Sequence, residues 1–188
     1  MIVSFVTAAL LSLGVAQGQA TPQDGPIQTN VTRGEATESV RLREALAYSN
    51  PLPRGAPTQD YPLVAWCDAL VSGHVRLGES LVNISTEDQE LVRLGRLEAQ
   101  DFRDALRVAE PRQNAATRAA ARAAAQAASD QWITIQAQED PDLRSQAFGL
   151  FFGLPGRCEH AARRIRDNIT TPPATPAEVG LRETPPAS

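Results

Sequence analysis

The 188-residue chain contains no lysine, so arginine supplies all 18 of its basic residues. Its formal net charge is −4, which argues against nonspecific attraction to nucleic acid or to anionic lipid. Aromatic residues are scarce at 5%, but apolar residues make up 42% of the chain. That apolar content suffices for the core of one domain. An arginine-only, alanine-rich composition is typical of a GC-rich bacterial genome.

Histidine and cysteine are equally scarce, with two of each. At helical geometry, Cys67 and His74 would lie roughly 10 Å apart along the axis. Cys158 and His160 are two residues apart and would point to nearly opposite sides of a helix. The sequence also lacks the spacings of zinc sites, nucleophile elbows and phosphate-binding glycine loops. We therefore predict no metal site, no cofactor and no catalytic residue.

The amino terminus has the pattern of an export signal. An uncharged apolar run extends from Ile2 to Ala16, which is shorter than the roughly 20 residues of a membrane-spanning helix. The small residues Gly18 and Ala20 then offer a cleavage site. No basic residue precedes the run, so a retained N-terminal anchor is the alternative. We predict a signal peptide over residues 1–20 and a periplasmic or secreted protein without a membrane span after cleavage.

Proline and glycine divide the remaining chain into three parts. Residues 21–58 form a proline- and glycine-rich flexible segment, with one short helix over about residues 36–48 that either docks on the domain or stays loose. Residues 59–169 hold the helical patterns, and residues 170–188 form a disordered, proline-rich tail. The predicted fold is all-α, an irregular bundle of four to five helices with disordered terminal segments.

The stretch from Tyr61 to Val82 is the helix on which the others are expected to pack. Its apolar residues recur at steps of three and four, which is typical of an amphipathic helix. We expect Asp60 to cap this helix, Gly73 and Gly78 to mark close approach of a neighbouring helix, and His74 to be a hydrogen-bonded core residue. The members of the apolar stripe are Leu63, Cys67, Leu70, His74, Leu77 and Leu81.

Three further helices follow by the same criteria. The next helix begins at Ser85 or Thr86, and its predicted buried residues are Leu91, Leu94, Leu97, Phe102, Ala105, Leu106 and Ala109. An alanine-rich helix over about residues 112–136 is expected to be a smooth structural helix, with a self-association surface as the alternative. Asp140 is a predicted cap for a short segment, and a last helix spans about residues 156–168.

Cys67 and Cys158 each lie on the apolar stripe of their own helix. An even count of two in an exported chain predicts one disulfide, which would fasten the last helix to the first one of the domain. Two buried free thiols are the alternative.

Two clusters form a candidate binding patch. The basic one could hold an anionic ligand, although charged runs are usually solvated helix faces. The aromatic one is expected to be an interior plug, with an exposed binding patch as the alternative. The residues of the candidate patch are Arg157, Arg163, Arg164, Arg166, Phe148, Phe151 and Phe152.

Two functions fit these patterns. The first is a noncatalytic exported protein that binds an envelope or secreted protein, as an inhibitor, immunity, adaptor or scaffold protein. The second is a small periplasmic hydrolase or ligand carrier with a pocket near Trp66, His74 and Phe151. A deep pocket with converging polar groups would favour the second, and a solid core with an exposed patch would favour the first. The sequence does not determine the oligomeric state.

Overall fold

The described part of the chain consists of residues 37–151 and 153–181 of a computed structural model. It contains six α-helices and no strand, which confirms the all-α prediction with one helix more than expected. The predicted signal peptide, Phe152 and the end of the predicted tail lie outside the described residues. The helices are α1 (Thr37–Ser49), α2 (Asp60–Glu79), α3 (Thr86–Ala109), α4 (Ala115–Gln136), α5 (Pro141–Gly149) and α6 (Arg157–Arg166).

The bundle is built around α2, which contacts α3, α4, α5 and α6. Most of its residues are buried, and Leu63, Leu77 and Cys67 have no exposed surface. This confirms the sequence-based choice of α2 as the organising helix. No helix among the described residues is both long and apolar enough to cross a membrane.

Two glycines of α2 allow its neighbours to approach closely, as predicted. A Cβ atom added at Gly73 would lie 2.5 Å from Cγ of Trp132 in α4 and closer still to two other indole atoms. At Gly78 it would lie 2.5 Å from Cε2 of Phe148 in α5 and closer still to Val92 in α3. Real Cβ atoms do not approach other atoms so closely, so these two positions exclude any larger residue at the present helix separation.

The buried side of α3 agrees only in part with the predicted one. Leu91 is 41% exposed and Leu97 is 51% exposed, so the prediction that these leucines are buried is wrong. Phe102, Ala105 and Ala109 are buried as predicted, and Val92 and Gly95 face the core in place of the two leucines. A Cβ atom at Gly95 would lie 2.8 Å from Val75, so close contact with α2 selects small side chains on this face.

The alanine-rich α4 packs along α2 through one face. Its buried residues are Ala121, Ala124, Ala128 and Trp132. Alanine contributes little buried area per residue, so the indole of Trp132 supplies most of the apolar contact at the C-terminal half. This agrees with the predicted structural role, while the alternative of self-association stays a prediction.

Two of the three predicted helix caps are confirmed. Ser85 Oγ accepts a hydrogen bond from the Asp88 amide at 3.0 Å, and Asp140 Oδ1 accepts one from the Asp142 amide at 2.9 Å. The prediction that Asp60 caps α2 is wrong. Gln59 is the capping residue and makes no side-chain cap bond. The Asp60 carboxylate binds Tyr48 and Arg164 instead.

Two predicted flexible segments pack against the bundle where the structure describes them. The short helix, α1, lies against α6, and a 3-10 helix at Ala177–Val179 lies against α1. The backbone carbonyl of Thr171 accepts a hydrogen bond from the Arg164 guanidinium. Residues 182–188 of the predicted tail lie outside the described residues.

Candidate functional site

The two cysteines form a disulfide, as predicted. The Cys67–Cys158 bond has an S–S distance of 2.10 Å and a Cα–Cα distance of 6.1 Å. It joins α2 to α6, and both cysteines are buried. Neither thiol is therefore available as a nucleophile or a metal ligand.

His74 lies in an aromatic cluster formed with Trp132, Phe148 and Phe151. Its ring stacks on those of Phe148 and Phe151, with centroids 4.2 and 4.4 Å apart. Its Nε2 donates a hydrogen bond to the Phe148 carbonyl at 3.0 Å, which confirms the prediction of a hydrogen-bonded core residue. Burial lowers the pKa of His74, against the opposing effects of that bond and of the Asp88 charge.

The three residues of the predicted carrier pocket do not share one site. His74 and Phe151 are in contact. Trp66 belongs to a separate core cluster around the disulfide. The stacked phenylalanine rings fill the space beside His74, so the aromatic cluster forms part of the core.

The basic half of the candidate patch is not a solvated face. Arg164 is 5% exposed; its Nη1 donates to Glu44 at 3.1 Å and its Nε to Asp60 at 3.1 Å. Arg163 donates to the same Glu44 oxygen at 3.0 Å. Only Arg166 remains exposed, beside Asp167. The prediction that these four arginines are solvated is therefore wrong for Arg164, because α1 covers it.

Arg157 extends this network to the segment before α2. Its guanidinium lies 4.4 Å from the centre of the Tyr48 ring and donates to the Thr58 carbonyl at 2.6 Å. The Tyr48 hydroxyl donates to Asp60 at 2.7 Å. Burial, followed by that bond to Asp60, holds the pKa of Tyr48 far above its usual range. We call the group of Arg157, Arg163, Arg164, Glu44, Tyr48 and Asp60 the arginine cluster.

The aromatic and basic halves of the candidate patch lie at different ends of α2. Phe148 is 2% exposed and contacts α2 near Gly78, which agrees with the interior interpretation. The arginine cluster lies at Asp60, roughly 25 Å away along a helix of this length. The six described residues of the candidate patch therefore do not form one surface, and Phe152 lies outside the described residues.

Glu98 of α3, which no sequence pattern singles out, lies near Glu159 of α6. Burial, together with the charges of Glu159 and Asp101, raises the pKa of Glu98 to about 7. Such a carboxyl group is partly protonated at neutral pH. No sequence motif marks it, because Glu98 and Glu159 are brought together only by the packing of α6 on α3.

We expect this raised pKa to make Glu98→Gln stabilising at high pH. The folded pKa exceeds the unfolded one, so the contribution of Glu98 to stability is present below about pH 4.5 and lost as the pH rises through about 7. The variant should gain roughly 1–3 kcal/mol over wild type at pH 8 after allowance for solvent screening, and about a quarter of that at pH 5. Urea denaturation at both pH values measures the difference.

The control for this prediction is Glu87→Gln, an exposed glutamate in the first turn of the same helix. His74 acts in the opposite direction, since its lowered pKa makes stability fall as the pH drops below about 6.5. Both variants retain His74, so its effect cancels when each is compared with wild type. Equal pH dependence in the two variants would contradict the assignment to Glu98.

A shallow cleft of about 160 Å³ lies at the C-terminal end of α2, where the N-termini of α3 and α5 meet it. Val82 at its rim is 81% exposed. The Arg144 guanidinium donates to the backbone carbonyl and hydroxyl of Ser80. The residues that line the cleft are Ser80, Leu81, Val82, Asn83, Ile84, Asp88, Pro141, Asp142, Arg144 and Ser145.

Comparison with known protein families, curated proteins and solved structures finds no significant match. Within the described ranges, no group of three or more histidine, cysteine, aspartate or glutamate side chains is placed to hold a metal ion.

Proposed function

We propose that the chain is an exported, noncatalytic helical protein that binds a protein partner in the bacterial envelope or medium, as an inhibitor, immunity, adaptor or scaffold protein. The observation that carries this proposal is the packing of the aromatic cluster. Phe148 and Phe151 stack on His74 in the region where a carrier would need its pocket. Because these rings lie where a ligand pocket was expected, their packing favours the protein-binding function over the carrier function.

Export is supported by two independent features. The Cys67–Cys158 disulfide is buried, and structural disulfides form and persist in oxidising compartments outside the cytosol. The apolar run from Ile2 to Ala16, followed by small residues, has the pattern of a cleavable signal. Together they favour a periplasmic or secreted location.

The cleft end of the bundle is the surface that best fits a protein partner. Among the described residues Val82 is the most exposed of the large apolar side chains, and Leu143, next to the cleft residues Asp142 and Arg144, is 47% exposed. Protein interfaces combine a central apolar anchor with a polar rim. Val82 with the surrounding carboxylates has this arrangement.

We expect Val82→Asp to reduce recovery of the partner at least about tenfold in affinity capture from envelope extracts, because a charge replaces an apolar anchor. The exposed position of Val82 allows the substitution without loss of core packing. The measurement is quantitative mass spectrometry of proteins captured on the immobilised mature chain.

The matched control is Leu97→Asp, which places the same charge on a leucine that is 51% exposed in the middle of α3. Capture should be unchanged with this variant. Equal capture by both variants would exclude the cleft end as the binding surface. A small molecule that copurifies in place of a protein would favour the carrier function.

A further inference from the structure

We propose that Arg163 and Arg164, with Arg157 on the same Tyr48 ring as Arg164, form a binding site for an oxyanion, a carboxylate or phosphate group, and that Glu44 of α1 occupies it as an internal ligand. This inference goes beyond the proposed function. The site lies at the end of α2 opposite the cleft, and its test requires only the purified protein.

The arginine cluster contains more cationic than anionic groups. Of its three guanidinium groups, those of Arg163 and Arg164 are hydrogen-bonded to the two carboxylates, Glu44 and Asp60. Arg163 and Arg164 share a single oxygen, Glu44 Oε1. Arg157 and Arg164 also donate to the backbone carbonyls of Thr58 and Thr171, and the Tyr48 hydroxyl donates to Asp60. The Arg157 charge thus has no carboxylate partner among the described residues, which favours binding of an anion.

The cluster also has more hydrogen-bond donors than acceptors. The Nε–H groups of Arg157 and Arg163 are buried and have no acceptor among the described residues. A buried donor without a partner is unfavourable, because it has lost its hydration and gained nothing in return. A carboxylate or phosphate offers several acceptor positions, and the planar guanidinium is matched to two oxygens at once.

Glu44 is the exchangeable member of the cluster. It is carried by α1, whose only buried residues are Glu44 and Ala45, while Leu42 and Leu46 are 36% and 45% exposed. Little apolar area therefore holds α1 on the bundle, and its attachment depends on the polar contacts of Glu44 and Tyr48. Asp60 belongs to the buried helix α2 and cannot leave without it. An external oxyanion would thus take the place of Glu44 and release α1.

Chemical rescue of Glu44→Ala tests this site. The substitution leaves the guanidinium groups of Arg163 and Arg164 facing an empty space, so we expect Tm in chloride to fall by roughly 5–10 °C. Inorganic phosphate at equal ionic strength should restore at least half of that loss with a saturable dependence on concentration. In wild type the Glu44 carboxylate competes for the same guanidinium groups, so phosphate should shift Tm far less.

Acetate is the second arm of the experiment. Rescue by acetate as well as phosphate would assign the site to carboxylate-bearing ligands in general, and rescue by phosphate alone would assign it to tetrahedral oxyanions. Both outcomes support an oxyanion site. The matched control is Glu90→Ala, which removes the partner of the exposed Arg93. Phosphate-dependent shifts in Tm that are equal in Glu44→Ala and Glu90→Ala would overturn the proposal. A Tm of Glu44→Ala that neither anion raises would also overturn it.

A second measurement covers the case in which Glu44→Ala does not fold. Phosphate added to wild type should accelerate hydrogen exchange of the α1 amides relative to those of α2, because the anion competes with Glu44 for the arginines. Arg163→Gln should abolish this acceleration. Unchanged α1 exchange across the phosphate titration would count against the site.

Discussion

Replacing Cys67 and Cys158 together by alanine is expected to lower the free energy of unfolding by about 4–5 kcal/mol. The disulfide joins residues 91 positions apart, and a loop of that length restricts the unfolded chain by this amount on the loop-closure account. The corresponding fall in Tm is roughly 10–20 °C. Urea denaturation and thermal melts followed by far-UV circular dichroism measure both quantities.

The double variant avoids a free buried thiol, which would complicate either single substitution. Its control is reductant: wild type reduced in denaturant should lose a similar amount of stability, whereas the double variant should not respond. If the free energy of unfolding of the double variant were within about 1 kcal/mol of the wild-type value, packing alone would hold α6 on the bundle.

The substitution Gly73→Ala should destabilise the protein by about 2–3 kcal/mol, although alanine is the better helix former by up to about 1 kcal/mol. The new methyl group would overlap three atoms of the Trp132 indole. That ring cannot move away easily, since it is 6% exposed and lies beside Phe151 with a centroid distance of 5.7 Å. Denaturant unfolding gives the change in stability.

Gly149→Ala is the matched control, because the added Cβ at this helical position meets no other atom within 4 Å. It should be neutral or slightly stabilising. In the background of Trp132→Leu, the cost of Gly73→Ala should shrink, since the overlapping indole atoms are gone. Equal effects of the two glycine substitutions would show that α4 adjusts its position without cost.

The elements of the fold were predictable because their signals are local. The helical spacing around Cys67 placed α2, and the short-range caps Ser85 and Asp140 placed the starts of α3 and α5. The cysteines on two apolar stripes were enough to pair α2 with α6. Gly73 predicted close approach in the middle of α2, but the sequence did not identify Trp132 as its neighbour.

The errors arose where a distant segment competes for a side chain. Asp60 has the position of a helix cap, yet its carboxylate is bound by Tyr48, 12 residues before it, and by Arg164, 104 residues after it. Arg164 lies on the polar side of its own helix, but α1 covers that side and contributes Glu44. Periodicity shows which face of a helix is polar and does not show which face another helix covers.

The prediction that Leu91 and Leu97 of α3 are buried is wrong for a different reason. Hydrophobicity favours Leu97 over Gly95 as the core residue, but the distance between α2 and α3 leaves no room for a side chain at position 95. Steric fit therefore decides this contact against the hydrophobic pattern. The raised pKa of Glu98 is equally unpredictable, since it depends on burial and on the charge of Glu159, from a helix about 60 residues away along the chain.

The disulfide also has a consequence for how the protein is made. On the proposed export route, Cys67 reaches the oxidising space well before Cys158, since 91 residues separate them. A chain with only two cysteines allows a single intramolecular pairing. A single two-electron oxidation therefore forms the disulfide, and no isomerase is needed to rearrange a wrong pairing. Recombinant expression in a reducing cytosol would omit that one oxidation and yield α6 without its covalent tether.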